Sequence, residues 1–142
     1  MQLIKMIKTK NKRVKARKLI SLPALLVKTQ QEFNKFIRNR DKDLPCISCG
    51  VARVTEAGHF HSAGHHQALR FNEVNTNGQC TRCNCFLSGN LTHYRNGMLK
   101  KYGQSKLDLL DSSVRHSVKK YSRFELQAIY EIYKKKNEDS AG

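Results

Sequence analysis

Cys46-Ile-Ser-Cys49-Gly50 and Cys80-Thr-Arg-Cys83-Asn84 are two C-x-x-C units separated by thirty residues, and they decide the fold of this chain. Two thiolates at this spacing turn toward one ion, and two such turns complete a tetrahedron of sulfur ligands. Gly50 supplies the permissive backbone that such a turn often needs. We therefore predict a structural Zn²⁺ bound by Cys46, Cys49, Cys80 and Cys83.

A redox-active C-x-x-C is the other interpretation of these motifs. That motif normally follows a strand in a thioredoxin-like βαβ pattern, which this sequence lacks. A thiol redox protein would also leave the charge of the chain unexplained. The fifth cysteine, Cys85, could replace Cys83 as a ligand, although a buried small hydrophobic residue or a free thiol fits it better. An odd number of cysteines favours metal binding in a reducing compartment over full disulfide pairing.

The chain is strongly basic, because 27 Lys and Arg against 11 Asp and Glu give its 142 residues a net charge of +16. Such an excess attracts polyanions, so nucleic acid is the expected partner. No segment has the apolar length of a membrane span, and the first residues do not resemble a secretory signal. We expect a cytoplasmic protein with no membrane partner.

Three regions of the chain differ in composition. Residues 1–45 combine a basic arm, expected to be flexible or half-helical, with an amphipathic helix predicted over residues 22–41. Residues 46–95 hold all five cysteines and five of the six histidines, and they are predicted to form the zinc-bound core with short strands at 52–56 and 58–61. Residues 96–142 form the C-terminal helical region.

Within the C-terminal region, apolar spacing predicts one helix, or two short ones around Gly103. Ser122-Arg-Phe-Glu125 predicts a capping box at the start of the last helix. We expect the tail from Lys134 onward to fray. The predicted fold class is therefore α+β, with a small zinc-stapled core between N- and C-terminal helices.

Most of the histidines lie between the two C-x-x-C units (the zinc knuckles, residues 46–50 and 80–84), in Glu56-Ala-Gly-His59-Phe-His61-Ser-Ala-Gly-His65-His66. The order Gly-His, Asn75, Cys-x-x-Cys-Asn inside a four-cysteine frame resembles the zinc-bearing HNH (ββα-metal) nucleases. A longer pattern resembles the phage NinG (Rap) recombination proteins over about residues 30–110. It comprises Ala57-Gly-His59-Phe, Leu69-Arg-Phe-Asn-Glu-x-Asn75, Gln79-Cys80-x-x-Cys83-Asn84, Ser88-Gly-Asn-Leu91 and Tyr94-Arg95.

That resemblance implies a metal-dependent, structure-specific endonuclease of HNH type. Its substrates would be branched recombination intermediates, such as Holliday junctions and D-loops, in the cytoplasm of a phage-infected host. By the same resemblance, His59 is the general base, Asn75 orients it, and Asn84 is a ligand of the catalytic Mg²⁺ or Mn²⁺. A neutral imidazole, with an ordinary pKa of about 6.5, can accept the proton of an attacking water.

One position departs from the HNH pattern, because many of these enzymes have an aspartate ligand where this chain has Gly58. Glu56 could supply the missing carboxylate, or His61 could enter the metal shell. His61 is also a second candidate for the base, since its two-residue spacing places it on the strand face of His59.

The predicted DNA contacts are basic side chains of the arm and core: Lys10, Lys12, Arg13, Lys15, Arg17, Arg70 and Arg95. The expected partners are branched DNA and a second copy of the chain. The alternative function is a non-catalytic zinc-knuckle module that binds DNA or RNA, and Gly58 is its best support.

Overall fold

The computed structural model describes residues 17–142 and has an α+β architecture. Its main elements are α1 (Leu22–Asp41), β1 (Glu56–His59), β2 (Thr76–Gln79), α2 (Leu91–Tyr102), α3 (Gln104–Ser113) and α4 (Arg123–Ala141). Two 3₁₀ turns (Gln67–Leu69 and Val114–His116) and a π-helical turn (Arg82–Phe86) lie between them. Among the described residues, no helix is long and apolar enough to cross a membrane.

Helix α1 confirms the helix predicted over residues 22–41. Its first turn contains Pro23, and the hydroxyl of Ser21 accepts a hydrogen bond from the N–H of Ala24 at 3.3 Å. One face is buried along its whole length, through Leu25, Thr29, Phe33, Ile37 and Asp41. This face packs against α4 and against both strands.

Helix α4 begins with the predicted capping box, which is confirmed. The Ser122 hydroxyl accepts from the N–H of Glu125 at 3.1 Å, and the Glu125 carboxylate accepts from the N–H of Ser122 at 2.8 Å. The prediction that the tail frays is wrong, because α4 continues to Ala141. Asn137 is 3% exposed and donates to the main-chain and side-chain oxygens of Glu32 at 3.0 and 2.8 Å. This contact with α1 holds the last turns.

Strands β1 and β2 form an antiparallel pair, with Glu56 opposite Gln79 and His59 opposite Thr76. The predicted strands at 52–56 and 58–61 are wrong in their bounds, because a single strand spans residues 56–59. Sequence analysis missed β2, since Thr76-Asn-Gly-Gln79 lacks the alternation of apolar and polar residues that marks a strand. All four of its residues are nevertheless buried.

Helices α2 and α3 pack on each other through Tyr94, Met98, Leu107 and Leu110. They are separated at Gly103, whose φ of +84° ends α2, so the two-helix alternative is confirmed. Gly97 brings α2 against the first knuckle, because a Cβ at this position would overlap the carbonyl of Ile47. The helices thereby fix the position of the cysteine motifs relative to the sheet.

Candidate metal centre and strand-end site

The Sγ atoms of Cys46, Cys49, Cys80 and Cys83 lie within 4.8 Å of one another. Three of these cysteines are buried, and Cys49 is exposed. Four sulfurs at about 2.3 Å from one ion have separations of this order. The four residues predicted from the two C-x-x-C motifs can therefore hold one metal ion such as Zn²⁺.

The surroundings of these sulfurs fit thiolate ligands. Sγ of Cys49 accepts from the N–H of Ala52 at 3.4 Å, and Sγ of Cys83 accepts from the side-chain amide of Asn90 at 3.5 Å. Burial is the main cause that raises the pKa of Cys46 to about 12. A thiol of this kind loses its proton at neutral pH only when a cation replaces it.

Both knuckles are fixed to the sheet. The first closes through the N–H of Gly50, which donates to the Cys46 carbonyl at 2.9 Å, with φ at +67°. The same knuckle joins β2 through the N–H of Ile47, which donates to the Gly78 carbonyl at 3.0 Å. The second knuckle begins at Cys80, directly after β2. A metal ion at the four sulfurs therefore also secures the strand pair.

Cys85 is an exposed free thiol outside this cluster. Its Sγ lies 3.3 Å from a carboxylate oxygen of Glu56. The interpretation of Cys85 as a buried hydrophobic residue is wrong, because the π-helical turn directs its side chain outward, toward Glu56.

Glu56 and Asn84 meet beside Gly58. The Asn84 amide nitrogen donates to the Glu56 carboxylate at 2.6 Å, and the Thr81 hydroxyl donates to its other oxygen at 3.0 Å. The hydrogen bond from Asn84 is the main cause that lowers the pKa of Glu56 below its ordinary value, and the bond from Thr81 acts in the same direction. The amide oxygen of Asn84 lies 2.9 Å from the position that a Cβ at residue 58 would take. An anionic carboxylate and a fixed amide oxygen thus lie together.

Gln79 completes this group and was missed by sequence analysis. Its amide nitrogen donates to the Ser48 hydroxyl at 2.7 Å and to the Gly89 carbonyl at 2.8 Å. Its amide oxygen, by contrast, is buried and has no hydrogen-bond partner within residues 17–142. A Cβ at Gly58 would overlap this oxygen. The only signal in the sequence is the location of Gln79 immediately before Cys80.

The ring of His59 has a defined tautomer. Its Nε2 atom lies 2.8 Å from the carbonyl oxygen of Arg70. A carbonyl only accepts, so Nε2 carries the proton and Nδ1 carries the lone pair. The described part of the chain provides no hydrogen bond to Nδ1. Burial, the largest influence, lowers the pKa of His59 below its ordinary value. The imidazole is therefore neutral at physiological pH, with Nδ1 basic.

His61 has different neighbours. Strand β1 ends at His59, so the prediction that both histidines share one strand face is wrong. The Nε2 atom of His61 lies 3.4 Å from the carboxylate of Asp111 in α3. Burial lowers the pKa of His61, against the opposing effect of this carboxylate. Nothing in the sequence signals the contribution of Asp111, because it comes from an element fifty residues away.

Asn75 holds the main chain of His61. Its side-chain oxygen accepts from the N–H of His61 at 2.9 Å, and its side-chain nitrogen donates to the carbonyl of His61 at 2.9 Å. The predicted contact of Asn75 with the His59 ring is not formed. The ring contacts the Arg70 carbonyl instead. Asn75 therefore fixes the path of the chain directly after the strand that carries His59.

The predicted DNA contacts are distributed unevenly. Four of them, Lys10, Lys12, Arg13 and Lys15, lie outside the described residues. Arg17 is exposed. Arg70 donates to the side chain of Gln30 at 3.2 Å. Arg95 pairs with Asp111 at 2.8 Å, which neutralises part of its charge, although its side chain is 42% exposed.

The comparison with known proteins agrees with the motifs. A family model described as Bacteriophage Lambda NinG protein matches residues 4–141. The chain belongs to the NinG family. The resemblance to this family that the knuckles and the histidine segment indicated is thereby confirmed.

Relatives in the NinG family come from several phages. Protein ninG of Escherichia phage lambda is 40% identical over 131 residues, which cover 89% of this chain and 63% of that protein. The proteins of the same name from Escherichia phage 933W and Salmonella phage P22 are 39% and 38% identical. The chain spans less than two thirds of the length of these relatives. No solved structure matches it.

Proposed function

We propose that this protein is a metal-dependent, structure-specific endonuclease of the HNH type that hydrolyses phosphodiester bonds in branched DNA. One observation carries the proposal. Gly58 and His59 are consecutive at the end of β1, where the Asn84 amide oxygen lies against Gly58 and the His59 ring presents a basic Nδ1. A proton acceptor at His59 and the oxygen ligand of Asn84, which lies against Gly58, are thus found at neighbouring positions along one strand.

In this proposal His59 is the general base. Its Nδ1 takes a proton from the attacking water, and the bond from Nε2 to the Arg70 carbonyl keeps the ring in the required tautomer. Burial keeps the imidazole neutral before the reaction. Asn75 contributes indirectly, because it fixes the main chain that follows the strand.

Asn84 and Glu56 would hold the catalytic cation. Amide and carboxylate oxygens are the ligands that Mg²⁺ and Mn²⁺ prefer, so the donor set fits a hard ion. A bound divalent cation supplies positive charge to the phosphate and to the departing oxygen. Glu56 is held as an anion by its hydrogen bonds, and Asn84 is held by Glu56. The two side chains therefore keep each other in place for an ion.

The two faces of β1 offer these groups to one phosphate. Alternation along the strand directs Gly58 and His59 to opposite faces. Strand β1 has a neighbour on one side only in the described chain, because the sheet has two strands. A phosphate lying along the unpaired edge would contact both faces. In the order β1, β2 and the helical turns that follow, we infer a ββα-metal core stabilised by the zinc site.

Branched DNA is the substrate we propose, in the cytoplasm of the infected cell. The net charge of +16 favours a polyanion. Membership of a phage family, together with the resemblance of the motifs to recombination proteins, favours recombination intermediates among polyanions.

The test is cleavage of a labelled four-way junction, compared with a linear duplex of the same sequence, in Mg²⁺ or Mn²⁺. We expect the junction to be cut faster, and no cutting when Mg²⁺ and Mn²⁺ are left out of the buffer of the zinc-loaded protein. Asn84→Ala should slow cleavage and be partly rescued by higher Mn²⁺, because its role is ligation. Asn96→Ala, at an exposed site on α2, is the matched control and should cut like the parent.

A specific observation favours a second function, a zinc-knuckle module that binds nucleic acid without cleaving it. Gly58 stands where many HNH enzymes have an aspartate ligand, and the Gln79 side chain occupies the space that an aspartate would enter. Tight binding of the junction, with no cleavage in any divalent metal, would establish this second function and refute the first.

A further inference from the structure

Gln79 carries a polar atom that the fold leaves without a partner. The side chain is 0% exposed, and its amide oxygen makes no hydrogen bond to any described residue. A buried acceptor left unpaired costs about 1–3 kcal/mol, so such atoms call for an explanation. A flip of the Gln79 amide, with its oxygen and nitrogen interchanged, does not explain the missing partner. The Gly89 carbonyl lies 2.8 Å from the amide nitrogen and can only accept, so it must face the NH₂ group.

The unpartnered oxygen points at the place where an aspartate would begin. A Cβ at Gly58 would overlap the Gln79 amide oxygen, and the Asn84 amide oxygen lies 2.9 Å from the same point. Two amide oxygens therefore converge on one position. The nitrogen of each amide is engaged elsewhere, that of Gln79 by Ser48 and Gly89 and that of Asn84 by Glu56. Both oxygens are thus turned toward Gly58 by fixed hydrogen bonds.

We propose that Gln79 is a ligand of the divalent cation, and that its amide oxygen replaces the carboxylate absent from position 58. This inference rests on the proposed function, since it names a further ligand of the same site. Gln79, Asn84 and Glu56 then provide three oxygen donors from β2, the π-helical turn and β1. An oxygen donor set of this kind binds Mg²⁺ or Mn²⁺ and leaves positions for water and phosphate.

The transfer of the oxygen ligand from position 58 to Gln79 also accounts for the presence of glycine at position 58. With Gln79 in its present position an aspartate at 58 has no room, because its Cβ would overlap the amide oxygen of the glutamine. A chain that takes the oxygen from β2 therefore needs glycine at this point of β1. On this interpretation Gly58 indicates a rearranged cation site rather than a lost one.

The test measures Mn²⁺ affinity by calorimetry on the zinc-loaded protein without DNA. Mn²⁺ does not displace zinc from thiolates, so the two sites are read separately. Even indirect partners of a metal are worth about 10- to 100-fold in affinity, so Gln79→Ala should weaken Mn²⁺ binding at least about tenfold. Ser48→Ala removes one hydrogen-bond partner of the same amide but leaves its oxygen and its bond to the Gly89 carbonyl, so it should lose clearly less Mn²⁺ affinity than Gln79→Ala.

A rescue variant makes the assignment specific. In the double variant Gly58→Asp with Gln79→Ala, the new carboxylate enters the space that the glutamine leaves, and Mn²⁺ affinity should return. Unchanged Mn²⁺ affinity in Gln79→Ala would overturn the inference. Equal losses in Gln79→Ala and Ser48→Ala would overturn it too, because they would show that the amide only supports the fold.

A measurement on the parent protein covers the case in which Gln79→Ala fails to fold. Mg²⁺ should shift the side-chain carbonyl ¹³C resonance of Gln79, while that of the exposed Gln127 stays fixed. An unmoved Gln79 resonance would refute the ligand. Mn²⁺ binding that depends on Gln79, without cleavage of any DNA, would refute the endonuclease and keep the cation site. Cleavage by Gln79→Ala with full Mn²⁺ affinity would refute Gln79 as a ligand and keep the endonuclease.

Discussion

The carboxylate of Asp41, at the end of α1, accepts a hydrogen bond from the backbone N–H of Gly78 in β2 at 2.8 Å. Asp41 is 2% exposed, and it also pairs with Arg40 at 2.8 Å and with Lys101 of α2 at 3.0 Å. One buried anion therefore joins α1, β2 and α2. Because β2 leads directly into the second knuckle, this contact also positions the metal centre.

Removal of this carboxylate should strongly destabilise the protein. Asp41→Ala leaves two cations and a backbone N–H without their shared acceptor, and breaking a buried ion pair costs about 3–5 kcal/mol. Urea unfolding of the zinc-loaded protein measures the loss. Asp43→Ala, two residues later and exposed, is the matched control and should change the free energy of unfolding by less than about 0.5 kcal/mol. Equal stability of the two variants would contradict the role of Asp41.

The zinc site should decide whether the chain folds. Cys46→Ser should abolish both zinc binding and the cooperative fold, because such sites contribute about 10–16 kcal/mol, more than a small domain has in total. Cys85→Ser is the control, since this exposed thiol lies outside the cluster. It should retain one zinc per chain by elemental analysis and unfold like the parent. A folded, zinc-free Cys46→Ser protein would refute a structural ion.

The cysteine cluster and the helices could be predicted because their signals are local. A C-x-x-C spacing fixes where two sulfurs point, and Pro23 and the Ser122–Glu125 pair mark helix starts within a few residues. The four cysteines converge as predicted, and α1 has the predicted bounds. Local rules failed for β2, whose four residues are buried by contacts with α1 and the knuckles rather than by an apolar pattern.

The strand-end site (Glu56, His59, Gln79 and Asn84) could be predicted only in part, because its chemistry depends on contacts between distant residues. The tautomer of His59 is set by the carbonyl of Arg70, and a carbonyl carries no residue identity that a sequence motif could signal. The unpartnered oxygen of Gln79 becomes visible only when β1 and β2 are paired and the amide nitrogen is already engaged. The motif locates His59 but not Gln79 as a site residue, and in both cases the fold decides which atom is available.

Salt should reveal the contribution of the basic arm to DNA binding. If six or more phosphates are neutralised, affinity should fall about 10³-fold or more between about 50 and 200 mM salt. Deletion of residues 1–20 removes a large share of the positive charge, and should flatten the dependence of log K on log salt without loss of zinc. A slope that stays unchanged would show that the arm does not contact the backbone.

Cleavage should depend on pH through the base. Burial lowers the pKa of His59, so the neutral form already dominates at pH 7. The rate should rise with pH through a value below about 6.5 and level off by neutrality. The same shift makes the folded state less stable as pH falls, because the unfolded chain then binds more protons. Circular dichroism at each pH separates this unfolding from loss of catalysis. A rate that still rises steeply above pH 7 would contradict a buried imidazole as the base.

Substitution of individual histidines separates the enzyme from a plain binder and assigns the base. His59→Ala removes the proposed base without touching the cysteines, so zinc content and junction affinity should persist while cleavage falls by about 10²-fold or more. His116→Ala, exposed at the end of a 3₁₀ turn, is the matched control and should cleave like the parent. Undiminished cleavage by His59→Ala would refute the mechanism proposed for the strand-end site.

His61→Ala distinguishes the two candidate bases. The ring of His61 is held by Asp111, whereas the ring of His59 is held by the Arg70 carbonyl, so the two substitutions disturb different contacts. We expect a smaller loss of cleavage for His61→Ala, because Asn75 holds the main chain at this residue whatever its side chain. A loss as deep as that of His59→Ala would make His61 a partner in the chemistry. If Asp111→Asn then caused the same loss of cleavage, the carboxylate that holds the His61 ring would be a positioning group for the reaction.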